Sequence, residues 1–144
     1  MPLSTTDPRG RRNILGILRG DGTGKSLMVC AHLDTHWPVE GQLFPHEATI
    51  KDSRIYGVGT GDSMTPLASF LGAIDAIKKA GVRLKGDLIF AATADELGHK
   101  SGARLIMESG LKPDMCIEGD TGNALEVCCC TVGKAEVEIT TKGS

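Results

Sequence analysis

Two near-continuous apolar runs on either side of an amphipathic segment restrict the possible folds of this chain most strongly. The runs are SLMVCA at 26–31 and DLIFAATA at 87–94, and such runs are typical of strands in a sheet that is covered on both faces. Residues 66–80 repeat apolar side chains with a helical period. The expected core-facing stripe of this helix comprises Leu67, Phe70, Leu71, Ile74 and Ile77. The pattern predicts a β-α-β unit in a largely parallel sheet.

Shorter segments add elements of the same kind. We expect strands over Asn13–Arg19 and Met115–Glu118, two short extended pieces within Ala48–Tyr56, a short helix over Ser101–Ser109, and extended segments over Leu125–Val132 and Ala135–Thr141. The first of these strands could form a hairpin with the run at 26–31, and the last two segments could pair with each other. The sequence therefore predicts an α/β domain.

Length, charge and cysteine content exclude several classes of protein. The chain has 144 residues, which suits one domain, and a formal charge of -2 without a basic run. These features argue against nucleic acid or a membrane as the partner. From the sequence we expect neither a bilayer-spanning stretch nor a secretory signal, because no long apolar run occurs and residues 1–12 are polar. The odd number of cysteines, five, predicts reduced thiols and a cytoplasmic protein.

Acidic and imidazole side chains stand at or just after the ends of the predicted strands. They are His32, Asp62, Asp95, Glu96 and Asp120. Because ligands of open α/β sheets bind outside the carboxyl ends of the strands, we expect these residues to converge on one rim. A histidine with carboxylates suits zinc, and also manganese or cobalt. Asp34 is placed to accept a hydrogen bond from the second ring nitrogen of His32 and so to fix its tautomer.

Four motifs occur in an order and spacing that resemble one enzyme family. They are HLD at 32–34, YGVGTGD at 56–62, TADELG at 93–98 and EGDT at 118–121. They look like the metallopeptidases and deacylases related to carboxypeptidase G, aminoacylase, acetylornithine deacetylase and succinyl-diaminopimelate desuccinylase. The resemblance implies a three-layer, zinc-exopeptidase-like sandwich with a mostly parallel mixed sheet, incomplete here. Residues 1–144 would be a single partial catalytic domain, without the lid and dimerisation domain of the family.

The resemblance also implies a ligand set and a substrate class. The metal ligands would be His32, Asp62, Glu96 and Asp120. They would bind one or two zinc ions, for which cobalt or manganese could substitute, with Asp62 bridging the two. The substrate would be a small peptide, such as a dipeptide, or an N-acyl amino acid. Within the family, Asp120 favours aminopeptidases or dipeptidases.

Two catalytic roles and two departures from the family follow from the same resemblance. Asp95 stands where the family has a glutamate that acts as general base, and Asp34 would support His32. Asp95 is one methylene shorter than glutamate, and the histidine that completes the second metal site would lie beyond Ser144. These departures leave open an alternative function, a non-catalytic metal-binding or interaction fragment of such an enzyme.

Other interpretations of the motifs are weaker. The glycine-rich segments at 20–26 and 57–61 imitate nucleotide-binding loops but lack the required spacing. Consecutive cysteines at 128–130 are expected to pack as apolar residues rather than to bind a metal, because neighbours on a strand point to opposite faces. An exposed sheet edge would favour a homodimer.

Overall fold

The computed structural model describes residues 9–44, 46–120, 126–130 and 137–143. The helices and strands in this part of the chain are β1 (Ile14–Leu18), β2 (Leu27–His32), β3 (Thr49–Lys51), β4 (Arg54–Tyr56), α1 (Thr65–Lys79), β5 (Leu88–Thr93), α2 (Ser101–Glu108) and β6 (Met115–Glu118). Each strand and helix predicted within 13–118 is present with nearly the predicted bounds.

A four-stranded mixed sheet in the order β1-β5-β2-β6 forms the centre of the structure. Strands β2, β5 and β6 run parallel, whereas β1 is antiparallel to β5. The predicted β-α-β unit is therefore confirmed. The predicted hairpin of β1 with β2 is wrong, because β5 lies between them: Phe90 is in register with Gly16 on one side and with Val29 on the other.

The alternation of side chains along the strands produces two apolar layers, one on each face of the sheet. One cluster, formed with α1, contains Val29, Ala31, Leu67, Phe90 and Ala92. The other cluster, formed with α2, contains Met28, Ile89, Ala91 and Ile106. The two helices thus cover opposite faces, and the predicted class, a mostly parallel mixed sheet flanked by helices, is confirmed.

The apolar stripe of α1 is narrower than its sequence suggests. Leu67 is 7% exposed and Phe70 packs beside it, but Leu71 is 51% exposed. At about 100° per residue, Leu71 lies about 40° from Leu67 on the side away from Phe70. Its placement in the core was therefore wrong. Within the described residues, no helix combines the length and the apolarity needed to cross a bilayer.

The remaining extended segments have mixed outcomes. Strands β3 and β4 form the expected antiparallel pair, and the turn between them is made by Asp52 and Ser53, which both have positive φ angles. The expected pairing of 125–132 with 135–141 lies partly outside the described residues, and their described parts, 126–130 and 137–141, carry no strand.

The difference between Leu67 and Leu71 can be measured. Leu67→Ala should lower the free energy of unfolding by about 2–5 kcal/mol, because it opens a cavity between α1 and the sheet. Leu71→Ala on the same helix should cost about 1 kcal/mol or less, because this side chain is already half exposed. Urea unfolding followed by circular dichroism tests both, and equal losses would contradict the assigned orientation of α1.

Candidate metal centre

Three side chains with metal-binding atoms meet at the carboxyl rim of the sheet. His32 ends β2, Asp62 lies just before α1, and Asp120 follows β6. One nitrogen or oxygen atom of each lies within 4.8 Å of the corresponding atoms of the other two. No second cluster of this kind occurs in the part of the chain that the structure describes.

His32 is buried, and both of its ring nitrogens are engaged. Nδ1 lies 2.8 Å from the backbone oxygen of Asp34, and Nε2 lies 2.6 Å from Oδ1 of Asp62. Burial lowers the pKa of His32, but the hydrogen bonds and charges of Asp34 and Asp62 outweigh it and raise the pKa above its usual value. An Nδ1–H bond to the carbonyl directs Nε2 to the carboxylates, the orientation that a metal-binding histidine requires.

Asp34 supports this rim in a different way from the one that we expected. Its backbone carbonyl, not its carboxylate, accepts the bond from His32, and the carboxylate lies 3.8 Å from Nδ1. The carboxylate instead accepts hydrogen bonds from the backbone N–H groups of Glu96 and Leu97, at 3.1 and 3.0 Å. Asp34 therefore connects the end of β2 to the loop that follows β5.

Ser63, which the sequence analysis missed, anchors Asp62 beside His32. Its side chain is fully buried; its Oγ donates to the backbone oxygen of His32 at 2.8 Å and accepts from the His32 N–H at 3.0 Å. The peptide bond that joins Asp62 to Ser63 is cis. A serine directly after a candidate ligand was the only signal in the sequence.

Gly119 allows the end of β6 to approach α1 closely. A Cβ atom at this position would lie 2.4 Å from Cβ of Pro66 and 2.9 Å from Cε2 of Phe70. The Gly119 N–H donates to the carbonyl of Cys30 at 2.8 Å, which extends the pairing with β2 by one step. This close packing places Asp120 at the same rim of the sheet as His32.

Asp95, the expected general base, is not brought into this group. It is 3% exposed, and its carboxylate accepts bonds from the Arg11 guanidinium, from Ser101 Oγ at 2.7 Å and from the His99 N–H at 3.2 Å. The Ser101 bond lowers the pKa of Asp95 most; burial opposes this, and the bonds from Arg11 and His99 lower the pKa further. Asp95 is thus a saturated, weakly basic carboxylate.

The network around Asp95 contains residues that no motif indicated. Arg11 precedes β1, and Ser101 begins α2. The buried Asn13 adds two bonds, accepting from the Ala94 N–H and donating to the carbonyl of Gly102. Together these contacts fix the loop between β5 and α2, which carries Glu96 to the rim.

Glu96 lies in the loop after β5 and is paired with Lys100. Its carboxylate forms an ion pair with the Lys100 ammonium. The bond to Glu96 is the largest cause of a raised pKa of Lys100, and the charges of Glu118 and Asp120 add to it. The Glu96 N–H donates to the carboxylate of Asp34 just after β2, which places Glu96 at the carboxyl rim of the sheet. Glu96 is not one of the three residues whose ligand atoms cluster.

The donor atoms of the cluster suit a divalent cation. An imidazole nitrogen with carboxylate oxygens is a ligand set that zinc accepts. Ligand bonds of about 2.0–2.2 Å in a tetrahedral site separate the ligand atoms by roughly 3.3–3.6 Å, which a spacing below 4.8 Å accommodates. Nε2 of His32 and Oδ1 of Asp62 lie 2.6 Å apart, and a cation bound between them would take the place of their hydrogen bond.

The environment of Asp95 predicts how stability depends on pH. Its pKa is lower in the folded chain than in the unfolded one, so its contribution is complete above the ordinary aspartate value of about 3.9 and is lost as the pH falls through the folded value. Asp95→Asn should therefore lower the thermal midpoint at neutral pH, and its difference from wild type should shrink in acid. Asp75→Asn, on the exposed side of α1, controls for loss of a surface carboxylate. A difference that is constant with pH would contradict this assignment.

Comparisons with known proteins give one consistent result. The model of peptidase family M20/M25/M40 matches residues 28–144. An acetylornithine deacetylase of Proteus mirabilis is 36% identical over 118 residues, which are 79% of this chain and 29% of the relative. A succinyl-diaminopimelate desuccinylase of Gluconacetobacter diazotrophicus is 32% identical over 108 residues, or 70% of this chain and 28% of the relative.

Two further proteins extend the comparison. A LysW-lysine/LysW-ornithine hydrolase of Sulfurisphaera tokodaii is 31% identical over 118 residues, 82% of this chain and 31% of its own length. An M20 family metallo-carboxypeptidase from Sulfolobus solfataricus has a TM-score of 0.61 at 21% identity, over 79% of this chain and 27% of that one; this likeness shows the fold. The chain spans less than a third of the length of each of these relatives.

Proposed function

Because the chain belongs to peptidase family M20/M25/M40, as the four motifs suggested, we propose that it is part of a metal-dependent hydrolase that cleaves amide bonds in small substrates. The observation that carries this proposal is the meeting of His32, Asp62 and Asp120 at the carboxyl rim of the sheet. Ligand sites of open α/β sheets lie at this rim, and the three residues come from three separate parts of the chain.

In this proposal His32, Asp62 and Asp120 hold the catalytic ion, which is zinc, or cobalt or manganese in its place. When bound, such an ion acidifies water and polarises the carbonyl of the scissile amide. The protein holds its ligands in place through the bond from His32 to the Asp34 carbonyl and through the two bonds between Ser63 and the His32 backbone.

We assign the general base to Glu96 rather than to Asp95. A base needs a carboxylate that can accept a proton from water and pass it to the leaving nitrogen. The Asp95 carboxylate is buried and already accepts bonds from Arg11, Ser101 and His99. Glu96 instead forms an ion pair with the exposed side chain of Lys100 and lies at the carboxyl rim of the sheet, where its N–H donates to Asp34. In this proposal Glu96 therefore acts as the base, and the metal ligands are His32, Asp62 and Asp120.

N-acyl amino acids are the substrates that we propose, with dipeptides as the second candidate. The names of three relatives describe removal of an acyl group or hydrolysis of a lysine or ornithine derivative. Such substrates carry a small amide and a carboxylate.

The setting that we propose is the cytoplasm, where thiols stay reduced. The five cysteines are all free of disulfides. We also propose self-association through β6, because its outer residues Met115 and Ile117 are 47% and 51% exposed. β6 is also the edge strand of the sheet in the described part of the chain, and an edge strand with exposed apolar side chains favours pairing with a second strand.

Removal of Asp62 tests the metal centre. Asp62→Ala should lose the zinc ion held at the rim and so lower the zinc content below that of wild type, because it removes the carboxylate that lies 2.6 Å from Nε2 of His32. His36→Ala, which removes an exposed histidine outside the group, should bind zinc like wild type. Elemental mass spectrometry after dialysis provides the metal content per chain. Equal zinc in wild type and Asp62→Ala would refute the site.

Paired substitutions at the neighbouring carboxylates test the base. Glu96→Gln should keep its zinc yet lose release of free amine from N-acyl amino acids by about 10²-fold or more. Asp95→Asn should retain more activity and lose stability instead. Full activity in Glu96→Gln would exclude it as the base. Zinc binding with no turnover in wild type, on N-acyl amino acids or on dipeptides, would instead support the non-catalytic alternative.

A further inference from the structure

Two thiols face each other behind the metal centre. Cys30 on β2 and Cys116 on β6 have their Sγ atoms 3.6 Å apart, and neither is in a disulfide. Cys30 is half-buried beside the apolar cluster under α2, whereas Cys116 is exposed on the edge strand. The pair is therefore anchored on one side and open to solvent on the other.

The distance between the sulfurs, which is that of a thiol–thiol hydrogen bond, is also close to their spacing in a shared metal site. Two thiolates bound to one tetrahedral ion at about 2.3 Å each lie roughly 3.8 Å apart. A disulfide needs a bond of about 2.05 Å. From the observed 3.6 Å, an ion requires a shift of about 0.2 Å, but a disulfide requires the sulfurs to close by about 1.5 Å.

The charge near the two thiols and the chemistry of sulfur ligands also favour a bound cation. Glu118 is in register with Cys30 across the β2–β6 pair. A negative neighbour favours a cation and disfavours an anionic oxidant or ligand. Paired sulfurs select soft, thiophilic ions, whereas the nitrogen and oxygen atoms at the rim also suit harder ones.

We propose that Cys30 and Cys116 form a second metal site, separate from the rim, which takes a thiophilic cation such as Cd²⁺ or Zn²⁺. On binding, two S–H bonds break, two sulfur–metal bonds form, and both protons pass to the buffer. Cys30 lies two residues before His32 on β2, and Cys116 lies four residues before Asp120 at the end of β6. An ion across the pair would therefore tie together the two strands that deliver these residues to the rim.

Cadmium titration of the whole chain tests this site through the ultraviolet charge-transfer band of cadmium thiolates. The background is the triple variant Cys128→Ser/Cys129→Ser/Cys130→Ser, which removes the other exposed thiols. We expect the band to saturate at one Cd²⁺ per chain in this background. Adding Cys116→Ser, an exposed and therefore structurally mild change, should abolish the saturating band, and Cys30→Ser should do the same.

Two controls distinguish cadmium binding at this site from binding at the rim and from binding between two chains. Asp62→Ala in the same background should keep the band, because the rim is not involved. Sedimentation should show that cadmium leaves the oligomeric state of the chain unchanged. A band that survives Cys116→Ser, one that requires Asp62, or one that appears only when cadmium induces further association would overturn the proposal. So would mass spectrometry that finds a Cys30–Cys116 disulfide in place of bound cadmium.

Discussion

The candidate metal centre and the thiol pair depend on the position of β2 between two parallel neighbours. Pairing with β5 on one side and with β6 on the other aligns three carboxyl ends at one rim. Backbone hydrogen bonds extend this alignment beyond the strands: Leu33 donates to Thr93, and Gly119 donates to Cys30. Residues that are 88 positions apart, His32 and Asp120, become neighbours for this reason. The strand order therefore brings these residues together, and their side chains then determine what the site can bind.

Short-range sequence patterns predicted the elements well and their partners less well. The apolar runs located β2 and β5 because strands buried on both faces need such runs. They could not show that β1 pairs with β5 rather than with β2, since both are apolar and the choice is made by the whole sheet. Leu71 was misplaced because it sits at the margin of a helical stripe, where periodicity does not decide burial.

The candidate site shows the same division between local and long-range information. His32, Asp62 and Asp120 were predictable because each stands at a strand end or a loop next to it. The environment of Asp95 was not, because its partners Arg11 and Ser101 are set by tertiary packing. For this reason our proposal places the base at Glu96, whereas the motif alone favoured Asp95.

Electrostatics connects the rim to the thiol pair beneath it. Asp62, Asp120, Glu96 and Glu118 concentrate negative charge at one end of the sheet, and Lys100 offsets part of it. Such a surface attracts cations. Ligand type then separates them, because the rim offers nitrogen and oxygen atoms and the pair beneath it offers sulfur.

X-ray absorption spectroscopy of the chain loaded with one equivalent of zinc tests the central claim most directly. Our account predicts an inner shell of nitrogen and oxygen at about 2.0–2.2 Å, including the scattering pattern of one imidazole. An inner shell with sulfur at about 2.3 Å, or one without imidazole, would show that the first zinc ion is not held by His32 and its carboxylates.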